Sequence, residues 1–193
     1  MALLNSEHGY GGLTKFLHWL IVVLFGFQFI AAHIMVRTDD SATVLGVSQD
    51  AYYNWHKSIG LLALLAAVVR VLARRHGELP PWAPTLSVGE KRFIHRAEQV
   101  LYAAMFVMPV SGFLFVMAGG YGVRLFGLLD LPNPIGTSET LAVVARWTHI
   151  VSSYALLAAL AGHIGLVLRH QLFMKDRLLH RMLPGGRRKI PNE

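Results

Sequence analysis

Four long apolar runs alternate with short polar or basic segments along this chain. They cover about residues 14–36, 53–73, 95–118 and 146–170. Each is long enough to cross a bilayer, which takes about 20 apolar residues in a helix. The first is also too long for the apolar stretch of a signal peptide. Residues 37–52 are polar and carry Asp39, Asp40 and Asp50, whereas 74–94 are basic and contain Pro80, Pro81 and Pro84. Residues 119–145 are rich in Gly and Pro, with 125–131 expected along the membrane interface. In the basic tail, 171–193, Leu172, Phe173, Leu179, Met182 and Leu183 predict an interfacial segment rather than a fifth span. Pro109 predicts a kink in the third run. No internal repeat is visible. The pattern predicts an all-α membrane protein, a four-helix transmembrane bundle forming one domain over 1–193.

Composition agrees. Of 193 residues, 54% are hydrophobic and 15% charged, which fits a membrane protein better than a soluble domain. Cysteine is absent, which excludes disulfides, zinc–thiolate sites, iron–sulfur clusters and the thioether attachment of a c-type haem. The net charge of +7 raises nucleic acid as a partner, but its distribution argues against it. Lys15, Arg70, Arg74, Arg75, Lys91, Arg92, Arg96 and seven residues from Arg169 onward fall on one side of the four runs. Only Arg37, Lys57, Arg124 and Arg146 fall on the other. The positive-inside rule then puts both termini in the cytoplasm, with membrane lipid rather than nucleic acid as the surrounding partner.

Histidine carries the chemistry. His149 and His163 lie in the fourth run, and their spacing returns to within about 40° of the same helix face some 21 Å further along. With the termini inside, His56 opens the second run at the outer depth of His149. His18 opens the first at the inner depth of His163. Two bis-histidine pairs result, His56/His149 and His18/His163. Ionisable residues inside spans are uncommon and usually functional, although a single one often serves only to bond neighbouring helices. No carboxylate lies deep in any run, so a zinc or di-iron site lacks ligands. Haem supplies four nitrogens of its own and needs only two axial imidazoles; with both axial positions closed, its task is electron transfer.

Competing readings stay open. His33 is an alternative outer ligand and His95 an alternative inner one. His170, seven residues after His163, is either a side chain snorkelling at the membrane edge or a proton partner for a redox substrate beside the inner haem. Arg70 is either a partner for an inner-haem propionate or a headgroup contact. Lys57, Arg124 and Arg146 mark an outer rim suited to propionates or an anionic substrate, or are simply solvated. Gly26, Gly60, Ser152, Ser153 and Gly162 either leave room for a macrocycle or serve close helix packing.

The chain resembles the bacterial cytochrome b-561 family, small four-helix di-haem membrane proteins. The resemblance rests on Leu17-His18-Trp19, His56-Lys57-Ser58-Ile59-Gly60 with Val69-Arg70, and His95 through Tyr102 to Pro109 and Gly112. It continues with Trp147-Thr148-His149, Gly162-His163 and the exit from Lys175-Asp176 through Leu178-Leu179 to Met182 and Pro184. It implies two b-type haems on His18, His56, His149 and His163 in a bacterial inner membrane. It also implies either of two activities. One is a superoxide oxidase that passes electrons from periplasmic superoxide to ubiquinone, with Lys57, Arg124 and Arg146 drawing in the anion and His170, with Lys175, assisting the quinone. The other is an electron relay for a partner dehydrogenase or hydrogenase.

Overall fold

The computed structural model describes residues 2–39 and 42–185. Four helices dominate: α1 (Gly12–Met35), α2 (Gln49–Arg75), α3 (Val88–Ala118) and α4 (Glu139–Arg169). All four are long and apolar enough to cross a membrane, α4 together with the turn that follows it. All four begin earlier than the apolar runs suggest, and in α2, α3 and α4 a polar cap rather than hydrophobicity sets the start. Ser48 accepts from the Ala51 N–H and Ser138 from the Leu141 N–H. Ser87 and Glu90 form a reciprocal capping box on α3.

α1 packs along α2 and α3 along α4, with α2 set against α3. Ala63, Ala66 and Ala67 of α2 are buried in the central cluster with Leu24 and Phe25 of α1 and Met105 of α3. Small side chains here let the helices approach closely, as packing within lipid requires.

Two short hairpins close the end of the bundle away from the termini: β1 (Thr43–Val44) with β2 (Val47–Ser48), and β3 (Arg124–Leu125) with β4 (Leu129–Asp130). The second spans 124–130, most of the stretch expected only along the interface. It is tied to α2, since the Phe126 N–H donates to Ser58 Oγ at 2.7 Å and Lys57 Nζ donates to the Gly122 carbonyl at 3.1 Å.

At the opposite end, α4 runs on as a π-helical turn, His170–Met174, and the chain then folds back. Lys175 and Arg177 adopt left-handed backbone angles, φ 52° and 60°, which reverse its direction. A 3-10 turn follows at Leu178–Arg181. The stretch is stitched under the bundle: Trp19 Nε1 donates to the Met182 carbonyl, Lys15 Nζ to the Leu183 carbonyl and Arg181 to the Pro81 carbonyl. Leu172 and Phe173 are exposed. Of the tail's basic residues, Arg187, Arg188 and Lys189 lie outside the described residues.

Candidate functional site

α4 meets the first two helices through histidine. The His56 and His149 rings have centroids 6.1 Å apart, and those of His18 and His163 are 6.4 Å apart. An imidazole nitrogen sits about 2 Å from a metal it ligates. Adding the setback of each ring centre, two imidazoles on opposite faces of one ion fall roughly 6 Å apart. Both pairs meet that requirement. Among the described residues no group of three or more His, Asp or Glu gathers as a metal cluster, so donors come in twos. That suits an ion bringing its own equatorial ligands.

The ring environments add detail. His149 Nδ1 lies 2.8 Å from the Met108 carbonyl. A carbonyl can only accept, so Nδ1 carries the proton and Nε2 is left for a metal. Gly112 makes the approach possible, because a Cβ there would lie 3.1 Å from the His149 ring. His56 Nδ1 is buried with no hydrogen-bond partner. On the other pair, the His18 ring meets Trp19 edge-to-face at 5.4 Å, and the Trp19 indole holds the returning tail.

Arg70 also fits a haem site. Its Nη1 is buried and unpartnered, while its guanidinium stands 5.7 Å from the centre of the Tyr102 ring. Arg74 stacks on the same ring and pairs with Glu98 at 3.5 Å. Together with Tyr10 these groups line a small cavity at the terminal end of the bundle. A buried guanidinium nitrogen lacking an acceptor suits a propionate carboxylate.

The competing histidines stand apart. His33 is exposed and pairs with Arg37 on its own helix. His95 is exposed and faces Gln99, also on its own helix.

His170 differs from both earlier readings. It is 0% exposed, so it does not snorkel. Its Nδ1 lies 2.5 Å from Asp176 Oδ2 and its Nε2 3.2 Å from Glu90 Oε1. Both ring nitrogens are thus turned to carboxylates rather than toward a substrate. Thr85 also donates to Asp176, at 2.6 Å, and Arg169 pairs with Glu90. The cluster ties the end of α4 to the start of α3 and to the tail. Burial works to raise the Asp176 pKa, but hydrogen bonds from Thr85, His170 and the Leu178 N–H hold it below the usual carboxylate range.

At the hairpin end the three rim cations are not equivalent. Lys57 is spent on the Gly122 carbonyl, and exposed Arg124 faces Asp130 at 3.7 Å. Arg146 is exposed, one turn before His149. Gly60 and Gly162 serve close packing, since a Cβ at Gly60 would sit 3.0 Å from Gln28 Nε2 and one at Gly162 2.7 Å from Phe93, whereas Gly26 faces open space. Ser152 and Ser153 bond back to carbonyls of their own helix. The sequence reading passed over Gly112, Gln28 and the carboxylates around His170 as parts of these sites. The His-Gly spacing on α2 did point to a close approach there.

The profile of a family described as prokaryotic cytochrome b561 matches residues 9–185. The chain is 27% identical to cytochrome b561 homolog 2 of Escherichia coli (strain K12) over 187 residues, 95% of each chain. It is 26% identical to cytochrome b562 of Cereibacter sphaeroides over 180 residues, 93% of this chain and 98% of that one.

Proposed function

Because this chain belongs to the prokaryotic cytochrome b561 family of membrane electron-transfer proteins, which hold haem b, we propose that it is a transmembrane di-haem superoxide:ubiquinone oxidoreductase. The observation that carries the di-haem reading is the pair of bis-histidine approaches, 6.1 and 6.4 Å between ring centres, set on one helix at two depths. In this reading the whole chain works as one unit in the bacterial inner membrane, with both termini cytoplasmic. His56 and His149 hold the outer haem and His18 and His163 the inner one. Arg70 takes an inner propionate. When bound, the two haems supply one-electron carriers spaced across the bilayer.

The chain's own groups do the rest. Outer superoxide gives up one electron and leaves as dioxygen. Two such electrons, with two protons from the cytoplasm, convert ubiquinone to ubiquinol at the inner end. Arg146, exposed beside the outer pair, has the best position of the rim cations to attract the anion; Lys57 fixes the loop over α2 and Arg124 is partly neutralised by Asp130. His170 acts through its hydrogen bonds, fixing the tail and α3 beneath the inner centre, with Lys175 at the bend where the tail turns back.

The test is direct. Purified protein in detergent or vesicles is expected to show b-type bands that superoxide reduces and ubiquinone reoxidises, without added protein. A protein inert to superoxide that copurifies with a dehydrogenase or hydrogenase would instead be the relay subunit.

A further inference from the structure

We propose that Gln28, on α1, is a positioning residue for His56: its side-chain carbonyl accepts the His56 Nδ1 proton, directly or through one bound water, and so sets the donor strength of that ligand. The proposal rests on the reading of His56 as an axial ligand.

Three observations carry it. Gln28 Nε2 donates to the His56 main-chain carbonyl at 2.9 Å, so the amide is already anchored to that residue. Gly60 clears the space for it, since a Cβ there would stand 3.0 Å from Nε2. The remaining polar atoms are complementary orphans, because Gln28 Oε1 and His56 Nδ1 are both buried and both without a partner. One can only accept. The other must donate when Nε2 faces a metal. The Gln28 main-chain carbonyl also lies toward the His56 ring, as a weaker competing acceptor that both variants below leave in place. Buried polar groups are seldom left unpaired, and a water needs only two or more such partners to sit between them.

The contrast with His149 gives the arrangement its meaning. His149 Nδ1 is held by a main-chain carbonyl of α3. In this proposal His56 depends in part on a side chain, so its ligand strength varies with the residue at position 28. A metal-bound imidazole whose far N–H is well accepted becomes a stronger donor and favours the oxidised metal.

The experiment uses the full purified chain with haem bound. In Gln28→Leu, the midpoint potential of the His56-dependent haem should rise and its low-spin ferric electron paramagnetic resonance signal should shift. That haem should also be retained about tenfold less tightly. In Gln28→Glu, close in shape but anionic, the same potential should fall. The His18/His163 haem should keep its potential in both. The Gln28 main chain is untouched in either variant, so an outer potential unchanged in both overturns the proposal. If the Leu variant does not fold, the near-isosteric Glu variant decides alone. A His56→Ala protein that keeps both haems overturns the ligand assignment instead, which separates the two failures.

Discussion

His149 donates through Nδ1 to the carbonyl of Met108 at 2.8 Å, and Met108 is the residue before Pro109. Proline removes one N–H from a helix and leaves the carbonyl four residues back, here that of Met105, without its helical donor. Ser111 donates to the same oxygen at 3.0 Å. A proline that reads in the sequence as a kink therefore adjoins the carbonyl that sets a histidine tautomer. Gly112 completes the arrangement by admitting the ring. Gly112→Val should push the His149 ring away and cost about 1–3 kcal/mol, as overpacking does. Haem content and the thermal midpoint of the purified protein should both fall; Gly112→Ala should give a smaller effect in the same direction.

The depth pairing predicts that His149→Ala and His163→Ala each lower haem content from two per chain to one, and that the two variants lose different haems. Redox titration of the surviving haem in each distinguishes them. Loss of the same component in both would mean the pairing is wrong.

Superoxide capture should depend on Arg146 more than on its neighbours. One unit charge near contact in water is worth about 1 kcal/mol, so Arg146→Gln should slow reduction by superoxide about fivefold at low ionic strength. Arg124→Gln should do less, because Asp130 already faces that guanidinium. The difference should fade with added salt. Stopped-flow rates that ignore both salt and Arg146 would remove steering from the mechanism.

The tail should be released by acid. Because the Asp176 pKa is depressed in the folded protein, this carboxylate stabilises the folded tail fully above the ordinary Asp value, near 3.9. That contribution is lost as pH falls through the depressed value. Limited proteolysis between 175 and 185 should therefore be slow at neutral pH and accelerate only below about pH 4. Asp176→Asn should weaken this protection at neutral pH, since His170, Thr85 and the Leu178 N–H lose the charge they share.

What the sequence discloses follows from what hydrophobicity and spacing encode. Apolar runs located all four helices, because lipid demands continuous apolar length. They missed the first turns of α2, α3 and α4, which depend on Ser48, Ser87 and Ser138 as caps. Histidine phase and depth picked out two pairs whose ring centres the structure sets 6.1 and 6.4 Å apart. Groups acting on those histidines were harder to see. Gln28 reads as one polar residue in an apolar helix, and its proximity to His56 arises only when α1 and α2 pack. His170 looked like a membrane-edge residue because nothing local reveals that Asp176 folds back and Glu90 arrives from another helix. Neither hairpin was foreseen, since Leu45 and Phe126 occupy left-handed turn positions where sequence leads one to expect Asn, Asp or Gly.

The pairing of α1 with α2 and of α3 with α4 bears on biogenesis. The four helices thus divide into two hairpins, α1 with α2 and α3 with α4. In the di-haem reading each metal bond joins one hairpin to the other, so porphyrin supply becomes an assembly step.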